Sequence, residues 1–153
     1  MRLNEFDKVK SFDDLERIQN DDDPDFNIRM PKPLTVDPEV WDQAEGDSCG
    51  LYSHDEVREI RNQMRQAQDK APIQSVNHNE MITSQEYVSG EGVKQYLNSP
   101  SGQLPLIYEH NGKKVILDGH HRIVADILQG KTSTKCRVLN VDHWVDEDGC
   151  FDC

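Results

Sequence analysis

The sequence predicts an α+β domain, and three stretches carry that reading. Asn111-Gly112 separates two β-rich runs, Leu106–His110 and Lys113–Leu117. This dipeptide tolerates two successive positive φ angles and so closes a two-residue hairpin. Ser53 and Glu56 stand at capping-box spacing ahead of Val57, Ile60, Met64 and Ala67, which share one face of a helix. The run "VILDGHHRIVADILQG", Val115 to Gly130, passes from an apolar strand through Asp118-Gly119 into Ile123, Val124, Ile127 and Leu128 at helical spacing.

The remaining elements follow in chain order. Phe12, Leu15 and Ile18 recur every three residues and predict a short helix that Asp21 to Pro24 would end. "RMPKPLTVDPEVW" carries three prolines and reads as extended chain, either an arm docked on the domain or a solvated linker. The capped helix ends near Asp69 to Pro72. "PIQSVNHNEMI" then offers Ile73, Val76 and Ile82 as apolar points and reads as a strand followed by a loop. "SGEGVKQYLNS" predicts a short helix with Val93, Tyr96 and Leu97 inward, broken by Ser99 to Gly102. Gly130 suits the residue just past a helix end. "KCRVLNV" reads as a last strand with Cys136, Val138 and Val141 toward the core. The expected organisation is an acidic N-terminal arm over 1–50, a compact mixed-sheet domain over 51–142, and an acidic tail over 143–153.

Charge narrows the ligand class. The net charge is −12, but residues 1–50 hold −8 of it and residues 142–153 hold −5, so 51–141 sums to +1. Residues 110–141 alone hold +4. A protein that clamps long nucleic acid usually shows a basic stripe, which this distribution lacks. A small anionic ligand fits the local charge better than a duplex. No run approaches the roughly 20 apolar residues of a membrane span. "MRLNEFDKVK" has no apolar signal core, so cytoplasm is the default expectation. Cytoplasm in turn predicts solvated or packed thiols at Cys49, Cys136, Cys150 and Cys153, in preference to disulfides. Cys150-x-x-Cys153 has no clear second pair to complete a zinc site.

The chemistry concentrates at Asp118-Gly119-His120-His121-Arg122. Glycine lets a ligand approach the backbone, and the first helical turn offers free N–H groups with a partial positive charge. Arg122 adds a cationic fork suited to phosphate, and His120 and His121 add donors. Gly119, His120, His121 and Arg122 therefore form a candidate phosphate cradle. The competing reading is that Asp118 caps the helix, the histidines are surface residues and Arg122 is an ion-pair partner. Glu80, in "NHNEM", is either a magnesium ligand or base, or an ordinary exposed loop carboxylate. His78 and Gln85 lie near it in sequence and are candidate lining residues. Lys113 and Lys114 read as solvated, and Trp41 and Trp144 as packing residues.

These residues together resemble the ParB/sulfiredoxin superfamily. Its mark is a hairpin, then Gly-x-x-Arg opening a helix and Ala three residues on, here Gly119, Arg122 and Ala125. "SVNHNEMITSQEYVSGEGVKQYL" is similar to the family's first strand, polar loop with a glutamine (Gln85) and short helix. The resemblance covers about residues 72–142. It implies phosphate recognition at this turn, with an NTP and magnesium as ligands. Glu80, Asp118 and His121 would be the catalytic candidates, and Glu80 or Asp118 would hold the metal. The loop lacks the catalytic cysteine of sulfiredoxins. Only about a dozen residues, five of them acidic, follow the last strand, too few for the helix-turn-helix module of partition proteins. What remains resembles the small stand-alone, often phage-encoded members described as ParB-like nucleases. The expected activity is that of an NTPase or nuclease acting on a nucleotide or nucleic-acid phosphate. The alternative expectation is a non-catalytic interaction or virion-assembly protein whose acidic arms meet a basic partner.

Overall fold

Both faces of the central sheet are buried, and the alternation of its strands shows why. In the computed structural model, which describes residues 27–100 and 102–151 (the side chains of 41–43 excepted), the elements run β1 (Asn27–Arg29), β2 (Thr35–Val36), α1 (Val40–Glu45), α2 (His54–Gln68), β3 (Ile73–Asn77), a 3-10 turn (His78–Glu80), β4 (Met81–Thr83), β5 (Tyr87–Ser89), α3 (Gly90–Asn98), β6 (Leu106–His110), β7 (Lys113–Asp118), α4 (His120–Leu128) and β8 (Ser133–Asn140). Six strands pair in the order β2-β4-β7-β6-β8-β3, and β1 pairs with β5 in a separate ribbon. Ile107, Ile116 and Val138 face one apolar core, with Ile123, Val124 and Leu128 of α4 and Val93 of α3. Their neighbours Tyr108, Val115 and Leu139 face a second core, with Val40 of α1 and Ile60 and Met64 of α2. Period-2 alternation thus feeds two helical layers from one sheet. The α+β expectation holds.

The local signals work as their chemistry dictates. Asn111 and Gly112 both take positive φ, 51° and 78°, and β6 pairs antiparallel with β7 across them. Ser53 Oγ accepts the Glu56 N–H while the Glu56 carboxylate accepts the Ser53 N–H, so the capping box is complete. At the end of α4, Gly130 (φ 85°) donates to the Ile127 carbonyl and Lys131 to the Asp126 carbonyl. That is the paired closure a left-handed glycine permits.

The N-terminal segment is more integrated than an arm. From Asn27 onward it supplies β1 to the ribbon and β2 to the sheet edge, and Ile28, Met30 and Leu34 belong to the first core. The helix predicted around Phe12 to Ile18 lies outside the described residues, as does Cys153. At the other end, Val145 and Phe151 are buried in the second core, and Trp144 packs against it while donating to Gln63 Oε1.

Thiol pairing departs from the sequence expectation. Cys49 and Cys150 form a disulfide with Cα atoms 5.6 Å apart, bridging 101 residues. The backbone brings them together. Asp47 donates to the Gly149 carbonyl, Phe151 donates to the Asp47 carbonyl, and Phe151 fills the space beside Gly46. No spacing rule reveals a pairing so distant in sequence. Cys136 is the packed thiol that was expected, and burial pushes it up to about 12. No helix among the described residues is long and apolar enough to cross a membrane.

Candidate functional site

The candidate site lies where β7 ends. Asp118 closes the strand, and Gly119 turns the chain with φ 92° into α4. Glycine is required here on two counts. The left-handed φ disfavours a side chain, and a Cβ would stand 2.6 Å from Pro105 Cα. Asp118 does not cap the helix: its Oδ1 accepts the N–H of Gly119, the very next residue, at 2.8 Å. Gly119 itself is the N-cap and offers no side-chain acceptor. By contrast, α2 and α3 are both capped, by Ser53 and Ser89. The first turn of α4 therefore presents its N–H groups without a side-chain cap.

Those groups border a cleft of about 250 Å³, lined by Gln85, Tyr87, Ser89, Asp118, His120 and His121 among others. The segment after β4, Gln85 and Tyr87 to Ser89, builds the opposite wall, and β4 positions it. That strand runs parallel to β7, so Thr83 and then Gln85 arrive at the same sheet edge as Asp118. Thr83 Oγ1 accepts the Gln85 N–H at 3.1 Å and sits 2.8 Å from His120 Nε2. Thr83 and His120 thus share a hydrogen bond that ties the ring to the end of β4. Burial, followed by the neighbouring His121, lowers His120 to about 4 against a smaller opposing pull from Asp118. His120 is thus neutral at pH 7 and brings no cationic charge to an anion. Tyr87, on the cleft wall, has Arg29 over its ring at 5.3 Å and accepts a hydrogen bond from it.

The other expected residues fall in three places. Arg122 turns away: Nη1 donates to the Gln103 carbonyl at 3.1 Å and the guanidinium lies 6.0 Å from the Tyr96 ring centre. Its buried Nε finds no acceptor among the described residues. Arg122 pins the 102–105 segment against α4 and is not a cleft-lining residue. Glu80 is exposed at the opposite end of the sheet. Met81 pairs with Lys114, so Glu80 lies level with Lys113, five residues and about 16 Å along β7 from Asp118. It cannot serve this cleft as base or metal ligand. His78 is fully buried, and Nε2 lies 2.8 Å from Thr134 Oγ1, which donates to Asp126 Oδ2 at 2.7 Å. The threonine proton is committed to Asp126, so His78 must donate through Nε2. Burial lowers its pKa, opposed by Asp126. His78 ties the turn before β4 to β8 and, through Thr134, to Asp126 of α4, and does not line the cleft. Gln85 does line it, as expected.

Four contributors escaped the sequence reading: Thr83, Tyr87, Ser89 and Gly92. Gly92 sits in the first turn of α3 because the His121 ring occupies the space a Cβ would need. A glycine inside a predicted helix was the available signal, since it is a poor helix former. Thr83 had none, because β4 is only three residues long.

Compared with known proteins, the chain matches no family model, no curated protein and no solved structure.

Proposed function

We propose that this cleft binds the phosphoryl group of a nucleotide-like phosphate ester, in a ParB/sulfiredoxin-like domain, and supports its hydrolysis. The observation that carries the reading is the uncapped start of α4 opening into a polar cleft. N–H groups there favour an anion by about 0.3–1 kcal/mol from the dipole alone, before direct hydrogen bonds are counted. The strand, Asp118-Gly119 turn and following helix, which resemble that superfamily's order, support the same assignment, while Arg122 is held by Gln103 outside the cleft.

The histidines supply hydrogen bonds. His120, held by Thr83, is a fixed neutral group at the floor. His121 stands exposed beside Gly92, where it can take a proton from an attacking water. Asp118 is the carboxylate of the cleft lining, with one oxygen already occupied by Gly119. One carboxylate beside a phosphate site fits magnesium, which commonly binds one or two carboxylates, substrate phosphates and water. Asp118 would hold the ion, which would supply charge neutralisation. Catalysis would then rest on positioning and charge stabilisation.

Calorimetric titration with NTPs and magnesium, paired with a phosphate-release assay, tests this. The reading expects saturable binding and turnover, with His121→Ala retaining binding and losing most turnover. Absence of binding to every NTP would remove it.

A further inference from the structure

Two dipeptides share the same left-handed φ angles. Asn111-Gly112 has φ 51° and 78° and closes the β6–β7 hairpin, and Cys49-Gly50 has φ 50° and 78°. Asparagine tolerates that backbone, and cysteine seldom adopts it. Cys49 is held there at the tip of an exposed turn, which the Leu51 N–H closes by donating to the Ser48 carbonyl at 2.9 Å. The bridge to Cys150 fixes the tip, and opening the bridge frees that backbone to relax.

The opposite sulfur stands on firmer ground. Cys150 is half-buried, its N–H donates to Asp146 Oδ1 at 2.9 Å, and its neighbour Phe151 is buried in the second core. The backbone bonds from Asp47 to the Gly149 carbonyl and from Phe151 to the Asp47 carbonyl join the two segments without the sulfurs. Breaking the bridge therefore leaves Cys150 in place. Cys153 follows three residues later in the sequence, and three residues span at most about 11 Å. A thiol there is tethered to the bridge at high effective concentration. Cys136, the remaining thiol, is buried in the first core on the other face of the sheet and cannot compete.

We propose that Cys49, Cys150 and Cys153 form a thiol–disulfide exchange site in which Cys153 displaces Cys49 from Cys150. The Cys153 thiolate attacks Sγ of Cys150. The Cys150–Cys153 bond forms as the Cys49–Cys150 bond breaks, and Cys49 leaves as a thiolate that takes up the proton Cys153 gave up. One disulfide exists before and after, so the step needs no external oxidant or reductant. Its product is a solvent-exposed Cys49 thiol, absent from the paired form, which an external disulfide can modify. The site shares no lining residue with the phosphate cleft, so its test does not depend on that reading.

The test uses the native full chain, purified at pH 6 without reductant and shifted to pH 8. Samples are quenched with excess N-ethylmaleimide over minutes to hours, the span of uncatalysed disulfide rearrangement, and mapped by mass spectrometry. Two isomers are expected: Cys49–Cys150 with label on Cys153, and Cys150–Cys153 with label on Cys49. Label on Cys49 should reach a constant level whatever the protein concentration, and should be lost in Cys153→Ser. The approach to that level should quicken about tenfold from pH 7 to pH 8 as the thiolate fraction rises. Label on Cys153 alone at every time, equal label on Cys49 in Cys153→Ser, or a level that scales with protein concentration would each overturn the proposal.

Discussion

The imidazole of His121 occupies the space that a side chain at position 92 would fill, so α3 and α4 meet through a histidine on a glycine. Gly92→Ala should therefore push His121 out of the cleft. Alanine is the better helix former and the ring is exposed, so thermal stability should stay within about 1 kcal/mol of wild type. Turnover should fall severalfold while nucleotide binding is retained. Unfolding by denaturant alongside ligand titration separates the effects, and unchanged turnover would deny His121 its role.

Gly119→Ala tests the turn. The new methyl meets the Pro105 backbone at a left-handed φ, so the turn must shift. A loss of about 1–3 kcal/mol in urea unfolding is expected. A neutral variant would show that the turn is not so constrained.

His120 makes stability depend on pH. Its folded pKa of about 4 lies below the ordinary 6.5, so the unfolded chain binds the proton more readily. The contribution is complete above pH 6.5 and is lost as pH falls toward 4, amounting to about 3 kcal/mol. Buried His78, also lowered, acts with the same sign. Melting temperatures measured from pH 7.5 to 4 should decline, and His120→Asn should flatten that decline. Parallel curves for the two proteins would contradict the assignment.

The Cys49–Cys150 bridge closes a long loop between the segment after α1 and the chain's end. Cys49→Ser should cost roughly 2–4 kcal/mol under oxidising conditions, with the loss centred on the second core around Phe151. Amide exchange should show residues 46–50 and 145–151 opening first. If oxidised wild type and variant unfold at the same denaturant concentration, the bridge contributes nothing.

Legibility in the sequence tracked the range of the interactions. The hairpin, the capped helix α2, the helix after Gly119 and the last strand are written in neighbouring residues, and each was readable. β1, β2 and β5 are two or three residues long and exist through pairing with distant partners, so no local pattern announces them. The site divides in the same way. Asp118 to His121 and Gln85 were legible as a polar cluster and a loop glutamine. Glu80 and His78 were grouped with Gln85 because β4, which separates them by the length of the sheet, is too short to read. Arg122 has the residue type for phosphate, yet Gln103 and Tyr96, chain-distant neighbours, set its direction.

The most direct measurement is a backbone amide NMR titration of the ¹⁵N-labelled protein with tripolyphosphate and magnesium. The N–H signals of Gly119, His120, His121 and Arg122 should move together and saturate, with Gln85 and Ser89 following as cleft neighbours. If those amides stay in place while the ligand saturates elsewhere, the start of α4 is not the phosphate seat.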